Sequence, residues 1–400
     1  MSNTAPPPPF RSTVEESLAV PLDDNSDRQS TTSSARRRWD DPPEELPGGP
    51  SPNHEMIENM TTMVFIKSIS AKHPYNSEIC HLEFSSCDTH LAALIPRSVN
   101  LRAFHPDEPG TVSMLNVKDG ARVQLSTASY GLRASGGFTF RPGADLVVAC
   151  PFYVKKDQGE LSSVLPRVEI YDYGRKTRWT KQDVPMRAPI VFSPDGATLA
   201  GVSTRNPSRI VVAAVRRESL SVKTMVLKHT EEVTKLAFLP PDGSRLVSAG
   251  RDGYVRITSL DSGRTLNRIE IGGRGHPSIL EVAPDGTKVI SVWGRDVVVW
   301  DLAGAGTGTG TGTVRTYNLN AVRGNGINEG WPLAVSPDCR YIACRTEEGF
   351  DVSDVETGKF RGDFATPGSV ITCAAFTRVG NKIAVGNYDG MIHVYEMITV

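Results

Sequence analysis

The strongest constraint on the fold is a short phrase that recurs seven times. An apolar or aromatic residue precedes a polar turn of Ser, Pro, Asp or Gly, and β-forming residues follow. The copies begin with Phe84-Ser85-Ser86-Cys87-Asp88, Phe140-Arg141-Pro142-Gly143 and Phe192-Ser193-Pro194-Asp195-Gly196. They continue with Phe238-Leu239-Pro240-Pro241-Asp242-Gly243, Val282-Ala283-Pro284-Asp285-Gly286, Val335-Ser336-Pro337-Asp338 and Phe376-Thr377-Arg378-Val379-Gly380. Their first residues lie 41 to 56 positions apart. That period suits one supersecondary unit repeated around a ring, and four short strands per unit make a propeller blade. The expected fold is all-β, a seven-bladed β-propeller.

Thr62-Met63-Val64-Phe65-Ile66-Lys67-Ser68-Ile69 is strand-like and precedes the first phrase, with no earlier blade to join. At the other end, the seventh unit reaches only its third strand, near 391–397. The early strand is expected to complete the last blade and close the ring, which removes an unpaired edge. The propeller then occupies 58–400. Residues 1–57 are rich in Pro, Ser, Asp and Glu and bury too little apolar surface to offset chain entropy, so a disordered N-terminal tail is expected there.

The whole chain carries a net charge of −1, which points to no nucleic-acid or membrane field. The distribution is uneven: residues 1–60 hold five Arg and eleven Asp or Glu, a net of −6, and the rest is at +5. A tail of that sign is either solvated or able to compete for a partner of the basic body. Pro6 to Pro9 suit polyproline II, and Arg36-Arg37-Arg38 after a Ser/Thr cluster is short for a nuclear-import signal. The six cysteines (80, 87, 150, 339, 344 and 373) form no Cys-x-x-Cys pair, and several stand in apolar runs. They suit a reducing compartment. With no apolar leader and no membrane-length run, an intracellular site, cytoplasmic or nuclear, is expected.

Unit four shows the grammar of one blade. Val233 to Phe238 forms an inner strand, Asp242-Gly243 a turn, and Arg245 to Ala249 a second strand. Asp252-Gly253 then leads to Tyr254-Val255-Arg256-Ile257, and Asp261-Ser262-Gly263 to an outer strand. Asp-Gly between β runs is a hairpin signal because Gly tolerates positive φ. With Gly275-His276, Val298-Val299-Trp300-Asp301, Lys228-His229, Asp389-Gly390 and Val394-Tyr395, the chain resembles the WD-repeat β-propellers over about 62–400. The resemblance implies a buried hydrogen-bond chain of His, Ser or Thr, a turn Asp and a Trp within a blade. His229, Ser248 and Asp252 match it in unit four, with Thr258 at the Trp position. His276, Ser291 and Trp300 match it in unit five, where the turn bearing Asp296 is one residue shorter. A His, Ser and Asp together also invite a hydrolase reading. The family places them for folding, however, and no Gly-x-Ser-x-Gly elbow accompanies them.

Residues 151–166 look like an insertion between the second and third strands of unit two. The Gly/Thr alternation of 304–313 looks like a flexible expansion in unit five, and it lacks the Gly-Lys-Ser/Thr of a phosphate loop. Arg361-Gly362-Asp363 is read as a chance tripeptide. No metal-ligand spacing occurs, so neither a metal nor a cofactor is expected.

In the resembled family, the loops between second and third strands open on one rim, called the top. Arg97, Lys155, Lys156, Arg205, Arg251 and Arg295 would place cations there, and Tyr388 an aromatic anchor; unit six departs with Glu347-Glu348. Arg suits bidentate contact with carboxylate or phosphate. The resemblance and this rim imply a non-catalytic interaction scaffold or adaptor. Its partner would be a protein or peptide, acidic or phosphorylated, within a larger complex. The alternatives are a lactonase-like propeller hydrolase, disfavoured because the inner strands mostly offer Val, Ile, Ala and Phe, and nucleic-acid or phospho-ligand binding through the basic rim. Near-neutral charge without aromatic–basic interleaving disfavours nucleic acid.

Overall fold

The computed structural model describes residues 61–71, 78–95, 110–129, 137–143, 147–155, 164–172, 174–175, 177–182, 184–216, 219–225, 229–271, 275–302, 312–319 and 331–399. The expected tail over 1–57 lies outside them. Among the described residues twenty-eight strands form seven antiparallel four-stranded sheets. The first sheet comprises β2 (His81–Phe84), β3 (His90–Ile95), β4 (Gly110–Asn116) and β5 (Arg122–Ser129). Blade 2 holds β6 (Thr139–Phe140), β7 (Val147–Lys155), β8 (Val164–Asp172) and β9 (Thr177–Gln182). Blade 3 holds β10 (Met186–Phe192), β11 (Thr198–Ser203), β12 (Ile210–Arg216) and β13 (Ser219–Met225). Blade 4 follows with β14 (Val233–Leu239), β15 (Arg245–Gly250), β16 (Tyr254–Ser259) and β17 (Thr265–Glu270). Blade 5 consists of β18 (Pro277–Val282), β19 (Lys288–Trp293), β20 (Asp296–Asp301) and β21 (Thr313–Asn318). Blade 6 consists of β22 (Trp331–Val335), β23 (Tyr341–Arg345), β24 (Gly349–Asp354) and β25 (Phe360–Ala365). Blade 7 takes β26 (Ile371–Phe376), β27 (Lys382–Asn387) and β28 (Met391–Thr399) from the end of the chain, and its outer strand is β1 (Thr61–Ser70).

Ring closure is therefore non-local. β1 runs antiparallel to β28, from Thr61 opposite Thr399 to Ser70 opposite Met391. The side chains secure the junction. Ser68 Oγ lies 2.8 Å from His393 Nδ1, and Lys67 Nζ donates to the Lys118 carbonyl of blade 1 at 2.6 Å. Ile69, Ile79, Leu82, Leu91, Ile392 and Val394 fill the space between blades 7 and 1. The other apolar clusters likewise fall largely between neighbouring sheets, as a ring of packed sheets requires.

The seven phrases form the turns that join the first and second strands of the seven blades. Their chemistry explains the recurrence. In blade 3, Ser193 Oγ donates to Asp195 Oδ1 at 2.5 Å, and the same oxygen accepts from Ala197 N at 2.9 Å. Asp285 and Asp338 accept from Thr287 N and Arg340 N in the same way. The Ser193 hydroxyl and then the Ala197 amide hold the Asp195 carboxyl below its ordinary range. Gly196, Gly243, Gly286 and Gly380 close their turns at φ of 66° to 77°. Asp88 and Cys339 take the same left-handed place without being glycine, at 56° and 59°.

The inner strands carry polar as well as apolar side chains. β10, β14, β18, β22 and β26 share a register shift near their starts, where the inner strand carries extra residues against its partner. The large apolar residues Leu82, Phe84, Leu236 and Phe238 are buried between sheets. His81, Glu83, Lys235, Glu281 and Cys373 take the partly exposed positions between them. Burial pushes Glu281 up to about 8 and Lys235 down to about 8.

Residues 151–166 are also not simply a loop. Pro151 to Lys155 extend β7, Val164 to Pro166 begin β8, and they pair as far as Lys155 opposite Val164. Phe152-Tyr153-Val154 are strong β-formers, so the hairpin lengthens instead of the connection. Most of the Gly/Thr run lies outside the described residues; Thr313 opens β21 opposite Asp301. Arg361-Gly362-Asp363 lies within β25, where Arg361 Nη2 bonds Asp354 Oδ2 at 3.1 Å. Among the described residues no helix is long and apolar enough to cross a membrane.

Candidate functional site

Blade 4 assembles a polar network from three separated places. His229 precedes β14, Ser248 is in β15, and Asp252 is in the turn after it. His229 Nδ1 lies 2.9 Å from Asp252 Oδ1, and Nε2 lies 2.9 Å from Ser248 Oγ. We assign the ring proton to Nδ1, facing the carboxylate, which makes Ser248 the donor to Nε2. The Thr230 amide adds a second donor to Asp252 at 3.1 Å. Burial opposes ionisation of Asp252, but the His229 hydrogen bond and its other donors outweigh it and hold the carboxyl below its ordinary range. Burial keeps His229 neutral, with a pKa below the ordinary imidazole value.

Sequence reasoning missed a fourth member. Arg256 is buried, with Nη1 2.9 Å from Asp252 Oδ2 and 2.7 Å from His229 Nδ1. The carboxylate is the shared acceptor of ring and guanidinium. The available signal was register: Arg256 stands directly opposite Ser248 across β15 and β16, on the same face of the sheet. Thr258, at the expected Trp position, is buried with its hydroxyl unbonded. Gly250 is required beside the ring, because a Cβ there would lie 2.8 Å from His229 Nδ1.

Blade 5 corrects the parallel expectation. His276 is exposed and does not join Ser291. Ser291 accepts instead from the indole of Trp293 at 3.0 Å. Trp293 occupies in β19 the place that Gly250 has in β15, so its ring fills the volume that the imidazole takes in blade 4. The turn is only Gly294-Arg295, and Asp296 passes into β20, where it accepts from Asn318 at 2.6 Å. Trp300 is buried among Val247, Val289 and Val298 and packs the junction of blades 4 and 5.

Neither set is built for catalysis at a surface. Ser248 is 0 % exposed and His229 is 5 % exposed, so no substrate carbonyl reaches the hydroxyl. Among the described residues no group of three or more His, Cys, Asp or Glu side chains comes together as a metal site.

The top rim is more varied than a row of cations. Arg97 and Lys156 lie outside the described residues, and Lys155 is the last residue of β7. Arg205 is exposed on the turn between β11 and β12. Arg251 is not a lone cation: its Nε bonds Glu232 Oε2 at 3.0 Å, and Arg187 Nη2 reaches Glu232 Oε1 at 2.6 Å. Burial disfavours the Glu232 carboxylate, but these two guanidinium groups outweigh it and lower its pKa. Arg295 lies over the ring of Trp331, 5.1 Å from its centroid. Trp331 is 50 % exposed, Tyr388 is 49 % exposed and Val370 is 52 % exposed. The Tyr388 amide bonds the Val370 carbonyl at 3.2 Å, so these two exposed residues are backbone neighbours. Trp331 and Val370 were not singled out from sequence, because nothing local distinguishes an exposed strand start from a buried one.

The WD domain, G-beta repeat family matches residues 221–259 and 357–396. Those segments carry most of blades 4 and 7, on a ring of seven four-stranded sheets. The chain is a WD-repeat β-propeller. A comparison with curated proteins gives no match. WD-repeat propellers commonly serve as protein-interaction scaffolds. In this WD-repeat propeller the His–Ser–Asp set of blade 4 is a buried hydrogen-bond network.

Proposed function

We propose that this WD-repeat propeller is a non-catalytic scaffold that holds a protein or peptide partner against its top rim. The observation that carries this reading is the combination of half-exposed Trp331, Val370 and Tyr388 with arginines on neighbouring blades. Large apolar side chains left half in water at a rim, beside guanidinium groups, suit an interface anchor surrounded by polar contacts. Arg205 and Arg251 would meet acidic or phosphorylated residues of the partner, and the aromatic side chains would supply buried area. The thiols of Cys80, Cys87, Cys339 and Cys373, none of them in a disulfide, support a reducing setting, cytoplasmic or nuclear.

The test is affinity capture with quantitative mass spectrometry, comparing the full chain with a variant carrying Arg205→Glu and Tyr388→Ala. Both residues are exposed, so the melting transition should stay within about 0.5 kcal/mol of the parent. The expected result is loss of specific partners at unchanged stability. Partners retained by the variant would move the interface away from the top rim. A hydrolytic activity that survives in the variant and is lost on changing Ser248 would restore the enzyme reading.

A further inference from the structure

Apart from Glu231 and the Glu232 carboxylate held by Arg187 and Arg251, the exposed charges described at the top rim are sorted by blade. Arg205 and Arg209 are both exposed on the turn between β11 and β12 of blade 3. That turn touches blade 4 through the Val233 amide, which bonds the Pro207 carbonyl at 2.9 Å. Arg251 follows on blade 4, and Arg295 with Trp331 bridges blades 5 and 6. Beyond Trp331 the sign changes. Glu347 and Glu348 are exposed on the turn between β23 and β24, and Asp389 is exposed beside Tyr388 on blade 7. The acidic side is also continuous. The Thr366 amide bonds the Glu348 carbonyl at 3.1 Å, and the loop from Thr366 leads to Val370, whose carbonyl meets Tyr388.

From this we infer that the rim is a bipolar docking track. It fits one extended peptide segment with acidic residues at one end, an aromatic or aliphatic residue in the middle, and basic residues at the other end. This rests on the rim being the binding face and deepens it by fixing the partner's charge pattern. The reason is electrostatic. A uniformly acidic segment long enough to reach both Arg209 and Tyr388 would set like charges against Glu347, Glu348 and Asp389. Juxtaposed like charges reject a partner as effectively as paired charges attract one. The acidic end belongs over blades 3 and 4, where guanidinium groups take carboxylates bidentately. The apolar residue belongs between Trp331 and the Val370–Tyr388 pair, and the basic end over blades 6 and 7.

The experiment is selection of a random twelve-residue peptide library, displayed on phage, against the full chain. Two variants serve as counter-screens: Arg205→Glu with Arg209→Glu, and Glu347→Lys with Glu348→Lys. Circular dichroism and melting establish that each is folded, and Glu347→Gln with Glu348→Gln replaces the lysine pair if it is not. The expected outcome is enrichment of peptides with opposite charges at their two ends around an apolar residue. Each variant should weaken them about tenfold or more, and should be rescued by peptides with only the matching end inverted. Enrichment of uniformly acidic peptides that need Arg205 and Arg209 but ignore Glu347 and Glu348 would overturn the bipolar track and leave the rim as the binding face. Peptides indifferent to both variants would remove the rim itself. A selection that enriches nothing overturns the proposal.

Discussion

Blades 4 and 5 begin from nearly the same ingredients and finish differently. Each has a His before its inner strand and a Ser at the fourth position of its second strand. Each also has an Asp near the next turn. Blade 4 joins them into a buried network with Arg256, whereas blade 5 leaves His276 outside and gives Ser291 to an indole. Two local differences decide this. Gly250 leaves space for an imidazole where Trp293 fills it, and the blade 5 turn is one residue shorter, so its Asp enters the strand. Polar residue types do not make a network. The volume and backbone length around them do.

The largest effect should come from removing the shared acceptor of blade 4. Asp252→Ala leaves the Arg256 guanidinium buried without its carboxylate, and loss of one partner from such a pair costs about 3–5 kcal/mol. Denaturant titration measures it, and a loss below about 1 kcal/mol would mean that Arg256 finds another acceptor. Acid should weaken the same blade. The folded chain holds His229 below its ordinary 6.5, so the unfolded chain takes up the proton first, and stability should fall as pH drops from about 6.5. The carboxylate contribution of Asp252, whose pKa lies below its ordinary 3.8, should persist until pH falls beneath that value. A His229→Asn variant should flatten the upper part of this profile and leave the lower part.

Gly250→Ala sharpens the comparison from the side of volume. The added methyl meets His229 and the Glu232 carbonyl, and overpacking of this kind costs about 1–3 kcal/mol. A neutral result would show that the ring can shift, and that the turn length alone separates the two blades. Trp293→Phe tests the other blade. It keeps most of the packing but leaves Ser291 without its donor, a loss of about 1 kcal/mol on thermal melting. The smallest effect belongs to His276→Ala, which should stay within about 0.5 kcal/mol because the side chain is exposed. A larger loss would mean that blade 5 uses its His after all.

Features carried by neighbours in the chain were legible in the sequence. The turn phrases announced their hairpins because polar side chains and a left-handed residue satisfy the turn locally, most fully at Ser193, Asp195 and Gly196 and at Ser336, Asp338 and Cys339. Ring closure was legible too, because a strand without a blade and a blade without a strand leave one antiparallel pairing. His229, Ser248 and Asp252 could be named because they match the pattern that the WD-repeat resemblance implies. Tertiary structure decided what depends on contacts between repeats and on which way a side chain turns. Arg251 looked like a free rim cation until Glu232 approached it from the preceding loop and Arg187 from another blade. Trp331 looked like any strand residue until its position at the rim left half of it in water. Lys235 follows a bulge in its inner strand, and the added residue of a bulge is not encoded in a pattern of period two. Local hydrogen bonding repeats with the sequence, whereas exposure and charge pairing are properties of the assembled ring.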